Sequence, residues 1–173
     1  MNVQEYLNKQ GCRFEVTEHE PVYTADQLAA VERLRRHQVA KTVVIRADND
    51  KFYLCVLPAD RKVSLHTLSR HLGIDHVRLA TETEMERLFA DAELGAEPPF
   101  GDLYNLPILM DKSLAKDKEI VFPAGTHDRA IRMAMTDYLH LAQPTVLKFS
   151  YPAVFDELGF MPLDTFFSDP FEM

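Results

Sequence analysis

The sequence predicts an α+β fold built around a mixed sheet. Two observations carry this: strands and capped helices are interspersed, and no regular βα repeat orders them. A third is size, since 173 residues with 46% hydrophobic content suit one domain with one packed core.

The elements follow in order. Residues 2–10 read as a short helix, with Asn2 as cap, Val3, Tyr6 and Leu7 on one face, and Gly11 as stop. Arg13 to Val16 alternates polar and apolar as a strand does. Thr24-Ala25-Asp26-Gln27 has capping-box spacing and opens a helix carrying Leu28, Val31 and Leu34. Val39–Arg46 and Phe52–Leu57 are β-rich and flank Asp48-Asn49-Asp50, which predicts a hairpin. Ser64 caps a helix with Leu65, Leu68 and Leu72 inward, closed by Gly73. His76–Leu79 is a short strand, and Thr81 to Glu84 is a second capping box before Met85, Leu88 and Phe89. Asp91–Tyr104, with Gly95, Pro98, Pro99 and Gly101, is a shaped loop. Leu106–Met110, Glu119–Phe122 and Ala130–Met133 are strands, and Thr136 caps a helix through Leu141. Residues 1–149 form the predicted domain. Residues 150–173 are a distinct acidic, aromatic extension, expected to pack on the domain or against a partner.

Composition narrows the function classes. Nineteen Lys and Arg against 27 Asp and Glu give a net charge of −8, which excludes a broad basic surface for gripping a duplex. Cys12 and Cys55 form no CxxC pair and read as reduced thiols, with Cys55 buried in a strand. The N-terminus lacks a basic and an apolar signal region, and no apolar run approaches a membrane span, so a cytoplasmic protein is expected. The histidines show no HxxxH or HExxH spacing, so no metal is expected, and His66, His71 and His76 read as surface residues. Serine-elbow, P-loop and dinucleotide fingerprints are absent as well.

Three segments carry the chemistry. Lys41 opens an apolar strand, as a solvent-facing strand end or as a cation at a pocket rim for a phosphate or carbonyl oxygen. In Gly95-Ala96-Glu97-Pro98-Pro99-Phe100-Gly101, prolines fix the backbone and glycines allow close approach to a ligand. Such a loop is either a rigid turn or an array of backbone N–H groups suited to an oxyanion. Gly125-Thr126-His127-Asp128 is a glycine turn from which His127 projects as general base or substrate-positioning group.

Together with His19-Glu20-Pro21-Val22-Tyr23-Thr24, Ala40–Val44, Pro58–Val63 and Leu106-Pro107-Ile108, these segments resemble the YbaK / prolyl-tRNA synthetase-associated domain family of aminoacyl-tRNA deacylases. The ordered set runs from about residue 12 to about residue 148. The resemblance implies a mixed sheet curling toward a barrel, with a pocket on one side and no cofactor. It implies hydrolysis in trans of the ester on a mischarged tRNA, of the proline class, with the acceptor end of aminoacyl-tRNA as partner. A homodimer or a synthetase is the other partner it leaves open, and a catalytically silent binding module is the rival function.

By the same resemblance, Lys41, Gly101 and His127 fall on catalytic positions. Tyr23, Thr24, Gly95, Ala96, Pro98, Pro99, Phe100, Gly125 and Thr126 fall on substrate-binding ones. Ala96 departs from the paired glycines of many relatives. The expected chemistry is attack by water or a substrate group, with backbone N–H groups holding the oxyanion. Residues 150–173 hold five acids and no bases, which leaves −3 on residues 1–149. Lys41 with Arg46, Arg129 and Arg132 is the expected local positive site for one tRNA end.

Overall fold

The computed structural model describes residues 1–154. The chain starts with α1 (Val3–Lys9), β1 (Glu15–Glu18) and α2 (Ala25–Val31), followed by β2 (Ala40–Ala47), β3 (Phe52–Pro58) and β4 (Arg61–Val63). Next come α3 (Leu65–Leu72), β5 (Val77–Leu79), α4 (Glu82–Leu88), β6 (Ile108–Asp111) and α5 (Lys112–Ala115). The series ends with β7 (Glu119–Pro123), β8 (Arg129–Ala134), α6 (Met135–Ala142), β9 (Thr145–Leu147) and β10 (Ser150–Pro152).

Caps set most of the helix starts. Asn2 accepts from the Glu5 amide at 2.9 Å while Glu5 accepts from the Asn2 amide at 3.1 Å, a reciprocal capping box. Thr24, Ser64 and Thr81 each accept from the amide three residues on. α3 stops where expected, at Gly73 in the left-handed conformation. α6 starts one residue before the expected Thr136 cap, because β8 runs straight into it with Ala134 at the boundary.

The main sheet has the order β5-β2-β3-β6-β9. The predicted hairpin is there: β2 and β3 pair antiparallel with Lys41 opposite Leu57, while β6 and β9 add parallel. Both faces of this sheet are covered. Ala40, Val44, Leu54 and Val56 face one apolar cluster, and Ile45, Cys55 and Leu57 face a second with Leu68 of α3. Burial pushes the Cys55 thiol far up, so it is an inert core residue. A second sheet, β1-β8-β7, touches the first through an isolated bridge between Val39 and Val121.

The fold is therefore α+β with a mixed sheet, but the curl toward a barrel is not found. Among the described residues no sheet closes on itself, because β5 and β9 remain as edges and a single bridge joins the two larger sheets.

Three further differences concern short elements. The strand expected from Leu106 begins at Ile108, since the Pro107 carbonyl accepts from the Leu54 amide ahead of the ladder proper. β4 and β10 form a two-stranded sheet that ties Ser150–Pro152 back to Arg61–Val63. So the ladder extends past the predicted boundary at residue 149, and the aromatic, acidic stretch from residue 155 lies outside the described residues. No helix among the described residues is long and apolar enough to cross a membrane.

Candidate active site

Two glycine turns meet at the site. Gly95 (φ +91°) and Gly125 (φ +90°) both occupy the region that favours glycine. The Glu93 amide donates to the Gly125 carbonyl at 2.8 Å and the Gly125 amide to the Ala96 carbonyl at 3.0 Å. A third segment joins them: the Val22 amide donates to the His127 carbonyl at 2.9 Å, and the His19 amide to that of Asp128 at 2.9 Å. These bonds continue the β1–β8 pairing and bring Tyr23 onto His127, with ring centroids 4.7 Å apart. The Gln27 side chain accepts from the Tyr23 amide at 2.8 Å, fixing the entry to α2.

Between these turns and the start of β2 lies a cavity of about 230 Å³. Tyr23, Thr24, Lys41, Gly95, Thr126 and His127, six of the residues singled out in the sequence, line it. An added Cβ on Gly95 would come within 3.4 Å of the Tyr23 carbonyl and 3.6 Å of His127 Cε1, and the positive φ would strain it further.

The other six stand elsewhere. Ala96 and Phe100 are buried, the latter with its ring edge-on to Tyr6, Phe122 and Tyr138. Pro99 accepts a 2.7 Å hydrogen bond from the Tyr138 hydroxyl. Pro98 and Gly125 border a neighbouring hollow of about 160 Å³. Gly101 lies beneath the Leu106 carbonyl, which an added Cβ would meet at 2.0 Å. Its need for glycine is thus a close backbone approach.

Three loop N–H groups expected to face an oxyanion are already engaged. Gly95 N–H donates to Glu97 Oε1 at 3.0 Å, Ala96 N–H to the Glu93 carbonyl at 2.9 Å, and Phe100 N–H to the Pro98 carbonyl at 2.9 Å. The first of these bonds goes to a side chain, which can exchange for a substrate oxygen without unfolding the turn.

Charge at the site is desolvated. Burial lowers the Lys41 pKa and Lys62 adds to the effect, while Asp26 and Asp60 oppose it. The ammonium is 3.4 Å from the Ala59 carbonyl, a long contact that leaves it able to turn toward a ligand. Glu97 is 3% exposed, and burial raises its pKa against the pull of the Gly95 N–H and of His127. His127 Nε2 is 3.4 Å from Glu93 Oε2. The same Glu93 oxygen accepts from the His127 amide at 3.4 Å, so this carboxylate stands against both the backbone and the ring of His127.

Glu93, Glu97 and His19 were not among the predicted site residues. His19 lines the cavity, and its Nε2 is buried with no hydrogen-bond partner among the described residues. Its place in His19–Thr24 was the available signal; two glutamates in an irregular loop give none. Of the expected arginines, Arg129 borders the cavity. Arg46 sits toward the other end of β2, bound to Glu84 at 2.8 Å and to Asp50, and Arg132 faces a separate cleft. Five strand steps from Lys41 to Arg46 cover about 17 Å, too far to share one pocket. No group of three His, Cys, Asp or Glu among the described residues could hold a metal ion.

A cavity walled by two glycine turns, a desolvated lysine and a carboxylate-paired histidine defines a pocket for a small polar group on a mixed α+β domain. The chain belongs to the aminoacyl-tRNA editing domain family, whose pattern matches residues 19–141. It is 30% identical over 147 residues to the multifunctional Ser/Thr-tRNA deacylase ProXp-y of Escherichia coli K12, covering 83% of this chain and 87% of that protein. It is 26% identical over 113 residues to the prolyl-tRNA editing protein ProX of Acetoanaerobium sticklandii, covering 62% and 68%. A solved candidate trans-editing enzyme for prolyl tRNA synthetase superposes with a TM-score of 0.76 at 25% identity, over 86% of this chain and 94% of that one.

Proposed function

We propose that this protein hydrolyses, in trans, the ester between a wrongly attached amino acid and the terminal ribose of a tRNA, with tRNA for proline as the class. The cavity shared by Lys41, Gly95 and His127 carries the reading. Its volume of about 230 Å³ suits an aminoacyl group, being roughly that of eight waters in bulk. The deacylase and prolyl-editing relatives support the reaction class.

The chemistry needs no protein nucleophile. Water adds to the ester carbonyl, the carbonyl oxygen takes up the negative charge, and collapse expels the ribose 3′ oxygen. That oxygen takes a proton, leaving a free amino acid and an intact tRNA. Lys41 is the cation aimed at the oxyanion or the terminal phosphate, and desolvation strengthens its field. Gly95 N–H is the second donor once its bond to Glu97 exchanges. His127, steered by Glu93, orders the water or accepts its proton. Selectivity rests on cavity size: a pocket excludes larger side chains well, whereas one methylene is worth only about 1–3 kcal/mol.

A second reading, a binding module without catalysis, draws on the internally engaged N–H groups of Gly95, Ala96 and Phe100. A deacylation screen separates the two, using tRNAs mischarged with Ala, Cys, Ser or Thr. At least one is hydrolysed, and His127→Ala slows it. No turnover of any of them at high enzyme concentration overturns the catalytic reading.

A further inference from the structure

A second concavity, of about 620 Å³, opens where the α2–β2 connection meets β7 and β8. Leu34, Arg35 and His37 of that connection line it together with Lys116, Lys118 and Arg132 of β8. We propose that this cleft holds the phosphate backbone of the tRNA strand whose esterified end occupies the cavity. The proposal rests on the deacylase reading above.

Charge is the first argument. The chain carries −8 overall, yet the cleft gathers Arg35, Lys116, Lys118 and Arg132 against two acids, Asp117 and Glu119. Glu119 faces a cation of the protein and Asp117 faces a histidine. Glu119 lies 4.0 Å from Arg132, and Asp117 lies 3.8 Å from His37 Nε2, whose other nitrogen is 3.5 Å from Asp60. Arg35, Lys116 and Lys118 are exposed and make no ion pair among the described residues. An acidic protein that concentrates unpaired cations in one concave site favours a polyanion there over the rest of its surface.

Position is the second. The cavity and the cleft share the β7–β8 pair, with Pro123 and Arg129 at the cavity and Glu119, Val121 and Arg132 at the cleft. Two to four strand residues separate them, about 7–14 Å. One strand of a nucleic acid helix carries a charge about every 3.4 Å along its axis, so the spacing spans about two to four nucleotides. One buried apolar cluster, with Leu28, Ala29, Val39, Val121 and Ala130, borders both hollows, Leu28 at the cavity and Val121 at the cleft. A strand leaving the cavity thus meets phosphate-binding side chains at a fixed distance from its end. These contacts read the backbone and carry no base specificity.

The test uses the full chain and the charge-reversed variant Arg35→Glu/Lys116→Glu/Lys118→Glu, with Lys116→Gln/Lys118→Gln as a milder form and thermal melts to confirm folding. Binding of an unacylated tRNA transcript is titrated over a salt series. The reversal weakens binding about tenfold or more, and the log–log salt slope flattens by about 2, at roughly 0.7 for each single-strand phosphate that the protein ceases to neutralise. KM for a mischarged tRNA rises in step, while turnover of the matching 3′-aminoacyl-adenosine, which has no strand to reach the cleft, stays unchanged. Unchanged tRNA affinity and slope overturn the proposal. So does an equal loss in the control Lys9→Glu/Lys51→Glu/Arg70→Glu, or an equal loss on aminoacyl-adenosine. Should the unaltered protein hydrolyse neither substrate, the deacylase reading fails, and the binding titration still decides the cleft.

Discussion

Replacing Lys41 with Met separates what this residue does for the reaction from what it does for the fold. Its pKa is lowered, chiefly by burial, so the folded state holds the charge less readily than the unfolded chain does. The sign follows. Below the folded pKa both states are protonated and the full penalty is present; as pH rises through the folded pKa toward the ordinary lysine value, the penalty fades. Met keeps most of the apolar stem and removes the charge, together with its 3.4 Å approach to the Ala59 carbonyl. A gain of about 0.5–2 kcal/mol is the ordinary range for such a relief. For a chain of this length that is a rise of roughly 1–8 °C in Tm at neutral pH. The gain shrinks in melts run at increasing alkaline pH. Removing an electrostatic donor to an oxyanion costs about 10²–10³ in kcat, so deacylation of a mischarged tRNA falls by that factor. A destabilised Lys41→Met protein, or one with full activity, refutes the reasoning.

Two further substitutions test the loop. Gly101→Ala forces a Cβ to within 2.0 Å of the Leu106 backbone carbonyl, and relief by backbone shifts costs about 1–3 kcal/mol or more. Thermal unfolding shows a lower Tm, while kcat/KM per folded molecule changes little; an unchanged Tm with lost activity would instead return Gly101 to the reacting centre. Glu97→Gln keeps an acceptor for the Gly95 N–H but carries no charge. It raises Tm at neutral pH, and the advantage vanishes as pH falls through the raised Glu97 pKa, where the native side chain is itself neutral. Melts from about pH 4 to 8 read this directly, and an advantage that is constant across the range counts against a buried carboxylate.

The legible parts of the fold were those written locally. Asn2, Thr24, Ser64 and Thr81 act as caps from their own next few residues, and the β2–β3 hairpin follows from alternation beside a polar turn. The pairing of β4 with β10 is the opposite case: three-residue strands far apart in sequence carry no periodic signal. The same division runs through the site. Gly95, Thr126 and His127 stand out because glycine turns are visible in sequence, and all three reach the cavity. Pro99, Phe100 and Gly101 look like ligand-facing loop, yet none lines the cavity, and Tyr138 and Leu106 meet this stretch from the core side, a placement decided by partners distant in sequence. Glu93 and Glu97 acquire meaning only when the two glycine turns close on each other.

Lys41 and Glu97 have opposite charges, and burial pushes their pKa values in opposite directions, each toward neutrality. For the raised carboxyl, the penalty is fully present above its folded pKa; for the lowered ammonium, it is fully present below its own. Between those two values both groups are ionised and both penalties apply together. Under the proposed function, that interval is also the range in which Lys41 meets the oxyanion as a cation while Glu97 accepts from the Gly95 N–H as a carboxylate. For Lys41 an apolar replacement relieves the penalty, whereas Glu97 also accepts from the Gly95 N–H, so only a replacement that keeps an acceptor does so there. Two poorly solvated charges beside one small cavity support the proposed function, in which the ligand's own charge and hydrogen bonds compensate them.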